Sequence, residues 1–582
     1  MRLTLKVLFS SVALAAMANA QQPLDHRELA VDQQIIHALN RLSFGPRPGD
    51  AQKVRAMGLD KWVDLQLHPE RIDDRSLEKF IQRYSVLRQD QNDLLREYNV
   101  AQRERREARR EAGDSAMRPA RNNPALQGIA INRRRVMVEL QSSRVAHAVA
   151  SNRQLEEVMT DFWLNHFNVY AQKGPPEAYY LVEYEQDAIR PRALGKFRDL
   201  LDAVAKSPAM LFYLDTARSM ADTSRPRLTR MRRAAMRPNA RAQGLNENYG
   251  RELLELHTLG VDGGYTQQDV INVARALTGW TIRPPAAGGG FIFRPEMHDA
   301  GEKTVLGHKL KAGRGIEDGE DVLDIVARHP STAKYVATKL ARRFISDNPP
   351  QAVIDRAAQV FLKTDGDIRE TLRAIITSNE FYSQQAFRAK VKSPFEVVVS
   401  AMRAMNAEPD STPRTAQMIA YLGQPIYGHQ APNGYPETGD AWMNTGAILN
   451  RINFGIAAAA NRIPGARVNA IPGLDTLINA PRAKQVDAVV SVMLGGSASP
   501  DTRAVLMSGE NPLLGKGESG LPVTMGDPEE EAGMTTDMAR PGGQRRGAAQ
   551  NPLGRPNAQP PRLTGLAQVV GLAIGSPEFQ RR

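Results

Sequence analysis

The stretch NENYGRELLELHTLGVDGGYTQQDVINVARALTGW, residues 246–280, sets how the rest of the chain is read. It reads as helix, turn, helix. The first helix ends near Gly260, and Asp262-Gly263-Gly264 supplies the turn, because glycine adopts the left-handed backbone that ends a helix at little cost. Thr266 is the expected N-cap of the second helix, with Asp269 three residues on as a capping-box variant. At about 100° per residue, Asn248, Glu252 and Glu255 share one arc of the first helix, and Glu247, Arg251 and Thr258 share another. Leu253, Leu254, Leu256 and Leu259 spread around the whole circumference, the pattern of a buried helix. Buried carboxylates must be paired, protonated or metal-bound. Glu252 and Glu255, one turn apart, are therefore candidates for metal ligation or for shared-proton acid–base work. The alternative is a structural salt-bridge network with Arg251 or Arg275. His257 falls on the Leu253 side, away from both glutamates. There a core histidine bonded to a carbonyl is the plainer reading.

Outward from this stretch the chain is mainly helical. Apolar residues recur at helical spacing in Gln34–Leu42, Leu59–Leu67, Ala333–Ile345, Ala352–Leu362, Ile368–Thr377 and Phe395–Met405, and Ala125–Phe167 holds one or two buried helices. Gln82–Ala112 is long and charged, with Leu87, Leu94, Leu95 and Tyr98 as a thin apolar stripe; it reads as a solvated helix or a hairpin arm. Strand signals are few. Phe291-Ile292-Phe293 is the best, and a small hairpin with Thr304–Leu306 is expected. The fold class is thus mainly α: a large multi-helix domain with a minor β-hairpin and long disordered insertions.

The ends and insertions divide the chain. Residues 1–20 read as a signal peptide cleaved after Ala20, with Arg2 and Lys6 ahead of an apolar run and Ala18-Asn19-Ala20 at its close. The run is too short to span a bilayer, and no later segment is apolar enough, so a periplasmic or secreted protein is expected. The helical domain covers 21–508. It carries an Arg-rich insertion at 218–243 with eight Arg and one Asp, and is followed by a Gly/Pro-rich insertion at 509–562. Both lack periodicity and are expected to be disordered. Residues 563–582 return to a helical pattern ending in Gly575-Ser576-Pro577-Glu578-Phe579, a loose echo of Ser378-Asn379-Glu380-Phe381.

Composition narrows the function. The 582 residues contain no cysteine, so there is no disulfide framework, thiolate site or cysteine nucleophile. The formal charge of +12 invites a nucleic-acid reading. Of this, +2 lies in the leader and +7 in the Arg-rich stretch, leaving +3 for everything else. The body is near neutral, and no nucleic-acid partner is expected.

Three further constellations carry polar chemistry. Asp161-Phe162-Trp163-Leu164-Asn165-His166 sets polar groups among aromatics, as in a buried polar pocket. Met297-His298-Asp299 follows the strand candidate. Gly434-Tyr435-Pro436, with Trp442, Asn444 and Arg451, forms a loop leading into a helix. His166, Glu252, Glu255 and His298 are the candidate ligands of one divalent metal ion, with Glu252, Glu255, His166 and Asp299 as candidate catalytic groups. HExxH, P-loop and GxSxG motifs are missing.

The motifs HALNRLSFGPRPGD from His37, DFWLNHFNV from Asp161 and ALGKFRDLLDAVAKSPAMLFYLD from Ala193 occur in this order with the 246–280 stretch, HDAGEKTVLG from His298, GQPIYGHQAPNGYP from Gly423 and a closing GSPEF. Together they resemble the bacterial family called domain of unknown function 1800, over nearly the whole mature chain. The resemblance implies a large, mainly helical exported domain and brings no settled activity. It also implies a neighbouring exported partner similar to sulfatases. Residues 218–243 and 509–562 are longer than the family pattern.

Three functions are consistent with these residues. One is a metal-assisted hydrolase or redox enzyme built on the candidate site. The second is a non-catalytic assembly partner of the sulfatase-like protein. The third binds polyanions or an anionic envelope surface through the Arg-rich loop.

Overall fold

The computed structural model describes residues 27–111, 124–221, 244–284, 289–510 and 563–582. The leader at 1–20, residues 222–243 of the Arg-rich stretch and residues 511–562 lie outside the described residues. Within them the chain is mainly α, and strand is confined to two antiparallel two-stranded sheets. No described helix is long and apolar enough to cross a membrane.

The apolar periodicities produce the helices Val31–Leu42, Leu59–Leu67, Pro330–Phe344, Gln351–Lys363, Ile368–Ile376 and Pro394–Ala404. Each turns its stripe inward; Ile368–Ile376 buries Ile368, Leu372, Ile375 and Ile376. The charged segment forms the Gln91–Glu111 helix, anchored by buried Leu94 and Leu95. Ala125–Phe167 resolves into two helices, Pro124–Ala150 and Gln154–His166. The break between them is held by Asp74, which accepts hydrogen bonds from the Ser151 hydroxyl (2.6 Å) and the Asn152 amide (2.9 Å).

Ser-Pro pairs start several helices. Ser207, Ser393, Ser499 and Ser576 each accept a bond from a first-turn amide, with proline at the next position, where its missing N–H costs nothing. The echo between Ser378 and Ser576 has the same basis: each hydroxyl accepts from the amide three residues on, Phe381 and Phe579.

The expected hairpin is re-paired. Phe291–Phe293 lies against Trp280–Ile282, not against residues 304–306. Lys303–Val305 instead pairs with His308–Leu310 across Leu306-Gly307, both at positive φ (49° and 81°). Two left-handed residues make the tight turn whose twist matches a hairpin, so local turn chemistry decides the pairing.

In the 246–280 stretch, Thr266 caps the Gln267–Ala276 helix with Asp269 in a capping box, as expected. The helix before it is not uniform. Residues Asn248–Glu252 are α-helical, and Leu253–Thr258 form a π-helical turn. A second π turn spans Tyr184–Ile189.

The Gly565–Gly575 helix packs on the Thr445–Ala459 helix. Glycine is required at their crossing: a Cβ on Gly455 would stand 2.7 Å from the Gly571 carbonyl oxygen. Beyond this contact the chain pairs in extended form with residues 390–392. The Arg582 amide donates to the Lys390 carbonyl (2.8 Å), and the Lys392 amide donates to the Gln580 carbonyl (2.9 Å). This carries the Arg582 side chain into the protein interior.

Candidate anion-binding cleft

Four helices and one loop meet at a narrow cleft with a cavity of about 50 Å³. Helix Pro124–Ala150 contributes Arg144, Gln154–His166 contributes Asp161 and Asn165, Pro330–Phe344 contributes Arg343, and Pro394–Ala404 contributes Glu396. Arg582, Lys390 and the loop carrying Tyr435, Glu437 and Trp442 complete it.

Its floor is a chain of buried ion pairs. Arg144 meets Asp161 at 2.5 Å, Arg343 meets Asp161 at 3.4 Å and Glu396 at 3.0 Å, and Arg582 meets Glu396 at 3.2 Å. Glu396 is also fixed by its capping box, accepting from the Ser393 amide at 2.8 Å. The Arg144 guanidinium lies against the rings of Phe395 and Tyr427, 5.3 Å from each centroid, where the π faces favour its charge. Lys390 bonds Asp347 and donates to the Glu437 carbonyl at 2.6 Å.

A second line supports this floor. The Tyr427 hydroxyl donates to Glu185, on the Tyr184–Ile189 π turn. Arg190 bridges Glu185 (2.9 Å) and Glu157 (2.5 Å), and Glu157 also meets His147 (3.0 Å). Tyr427 adopts a φ of 58°, the left-handed region that a bulky residue rarely takes. Strained backbone of this kind persists only where surrounding contacts over-determine it.

The balance of charge around Glu396 is positive. Arg41, Arg144, Arg343, Lys390, Arg451 and Arg582 face Asp161, Asp347, Glu396 and Glu437, six against four, with Lys392 beside them only partly charged at neutral pH. With Arg190, Glu157 and Glu185 included, cations still lead by seven to six. Burial raises the Glu396 carboxyl, but Arg343 and Arg582 outweigh it and hold it at about 2. The bases move the other way. Burial, aided by Arg582, lowers Lys390 to about 8, and burial lowers Lys392 to about 7. Burial and the neighbouring Arg343 lower Arg582 to about 10. Arg144, Arg343 and Arg582, which line the cleft, have buried Nε–H groups with no acceptor among the described residues. Such donors are normally met by water or by a ligand.

One family model matches residues 37–581, almost the entire sequence. The chain belongs to the DUF1800 family, described as proteins of unknown function. Neither the comparison with curated proteins nor that with solved structures yields a match.

In this DUF1800 chain the candidate site residues fall into separate environments. His166 is buried, and its Nε2 donates to the His257 carbonyl at 3.0 Å. Its ring lies 6.3 Å from that of His257, whose two nitrogens are buried without partners among the described residues. His257 is thus the core histidine expected on the Leu253 side, but its ring has no carbonyl partner among the described residues, and its backbone carbonyl accepts a bond instead. Burial, then Lys339, lowers both imidazoles, His257 to about 3.

Glu252 and Glu255 are half-buried rather than enclosed. Tyr265 donates to Glu255 at 3.2 Å, and burial followed by Glu255 raises Glu252. Neither glutamate takes Arg275, which instead grips Asp299 at 2.8 and 3.2 Å. His298 donates from Nδ1 to the Thr278 carbonyl (2.8 Å) and turns Nε2 toward Asp318 (3.4 Å), which Lys303 also holds (2.7 Å).

The expected grouping of His166, Glu252, Glu255 and His298 therefore does not form. Among the described residues no three His, Asp or Glu side chains are placed to hold a metal ion.

What the fold joins is the Asp161–Asn165 segment and the Tyr435–Trp442 loop, through residues that sequence reading passed over: Arg144, Arg343, Lys390, Glu396, Tyr427 and Arg582. One signal was available. PFEVVVSAMRA, residues 394–404, is buried on every side yet contains Glu396 and Arg403, and charges in such a helix must be paired.

Proposed function

We propose that this DUF1800 protein is an exported ligand-binding protein whose cleft holds an anionic group. One observation carries the reading: among the residues that line the cleft cations outnumber carboxylates, and three of its arginines, Arg144, Arg343 and Arg582, keep a buried Nε–H with no acceptor among the described residues. A buried donor left unpaired costs about 1–3 kcal/mol, and more when charged. An anion entering beside Arg343 and Arg582 relieves the repulsion between them. Export would bring the cleft to anionic groups of the envelope surface or to those handled by a sulfatase-like neighbour. N-terminal sequencing of the mature protein is expected to begin at Gln21.

Titration calorimetry of the mature chain with acetate, sulfate and phosphate at low ionic strength tests the reading. One anion per chain is expected to bind. Arg343→Met is expected to weaken it at least about tenfold, the value of one charge-assisted hydrogen bond. No binding of any anion at millimolar concentration would refute the proposal. A metal-assisted hydrolase has no comparable support, because no three His, Asp or Glu side chains among the described residues are placed to hold a metal ion.

A further inference from the structure

Lys339 stands one helical turn before Arg343 on the Pro330–Phe344 helix and is not among the residues that line the cleft. That helix buries Val336, Ala337, Leu340 and Ala341, while Tyr335, Thr338, Lys339 and Arg342 are half-buried on its other face. The Lys339 amino group makes no hydrogen bond or ion pair among the described residues, and it is not sealed from solvent. It lies over the ring of Tyr335, 5.7 Å from the centroid. That ring is itself packed in place, 6.1 Å from the His166 ring and so close to Gly260 that a Cβ there would stand 2.8 Å away.

Little around this amine favours its ammonium form. Glu437 is the acid that acts on it, but Glu437 accepts from Asn165 at 3.1 Å and lies 3.9 Å from Arg343. His166 and His257, which feel the Lys339 charge, are buried and held neutral. Arg342, three residues on, repels a second cation. Burial lowers Lys339 to about 8, against the pull of Glu437 and with the push of Arg342. About half of such an amine is unprotonated at pH 8, roughly a hundredfold more than for a lysine at its ordinary value. An unprotonated, unbonded lysine amine is the form that adds to a carbonyl carbon.

We propose that Lys339 is a nucleophilic amine that takes a small aldehyde as an imine on the face of the helix between Tyr335 and Arg342. The nitrogen lone pair attacks the carbonyl carbon, a C=N bond replaces C=O, and the oxygen leaves as water with both amine protons. The condensation needs no oxidant, reductant or further reactant. This site is separate from the anion-binding cleft and does not depend on it.

The test treats the mature chain with acetaldehyde and cyanoborohydride at about pH 8, near the Lys339 value. Cyanoborohydride fixes an imine by adding hydride to its carbon, and peptide mass spectrometry then reads each ethylated lysine. Lys339 is expected to react at least about tenfold faster than the exposed Lys334 on the same helix, short of the roughly hundredfold gain in free amine because half-burial slows access. Its rate is expected to level off above about pH 8, where the amine is already free. In concentrated urea the advantage should vanish, since burial creates it. Lys339→Arg should remove the fast site and leave the Lys334 rate unchanged. Lys339 reacting no faster than Lys334, or a rate still climbing steeply past about pH 9, would overturn the proposal. So would an advantage that survives in urea, because it would then come from the local sequence and not from the fold.

Discussion

Glu396→Gln is the sharpest probe of the buried charge chain. The carboxylate accepts from Arg343 at 3.0 Å, Arg582 at 3.2 Å and the Ser393 amide at 2.8 Å. Burial alone would raise it, yet the arginines bring it from its ordinary 4.5 to about 2. A fall of that size is worth about 3 kcal/mol of folding stability at neutral pH. Because the folded state holds the proton more weakly than the unfolded state, this stability is fully present above about pH 5 and is lost as pH falls toward 2. Glutamine keeps the shape and removes the charge. It leaves Arg343 with Asp161 and the more distant Glu437 (3.9 Å), and leaves Arg582 with no carboxylate in contact among the described residues. The expected loss at pH 7 is about 3 kcal/mol, in the range for breaking a buried pair from one side. Urea unfolding followed by fluorescence of the buried tryptophans Trp163 and Trp280 reads it. The variant should also show a shallower loss of stability between pH 5 and 2. A variant as stable as the parent at pH 7, with an unchanged acid limb, would refute the charge accounting.

Arg343→Met should cost less than Glu396→Gln in the same unfolding assay, since Arg144 and Arg582 keep both carboxylates paired and a surplus cation is removed. Glu177 is fully buried with neither oxygen bonded among the described residues, and burial pushes its carboxyl well up. The native state therefore loses stability as pH rises above the ordinary carboxylate range, so Glu177→Gln should be the more stable form at pH 7 and equal at pH 4 in parallel urea titrations. Gly455→Ala should destabilise by about 1–3 kcal/mol, because its new methyl meets the Gly571 carbonyl; an unchanged thermal midpoint would show that the two helices separate at no cost. Tyr427→Phe should cost about 1–2 kcal/mol by leaving Glu185 with Arg190 alone, and should weaken anion binding through the loosened Arg144.

The sequence by itself determined the helical class, because apolar spacing and Ser-Pro or Thr-Asp caps are local and decide each helix within a few residues. Val31–Leu42, Ile368–Ile376 and the Thr266 cap were legible for that reason. It also showed where polar chemistry lies: Asp161, Asn165 and the 434–442 loop stood out as polar groups set among aromatics, and all border the cleft. What it could not show is which constellations share a site. Hairpin pairing turned on two left-handed residues at Leu306-Gly307. The cleft itself brings Arg144, Arg343, Glu396 and Arg582 together from four separate segments of the chain. Each is an ordinary charged residue in its own segment. Only tertiary packing removes them from water, and burial is what turns a set of scattered charges into one coupled site with donors to spare.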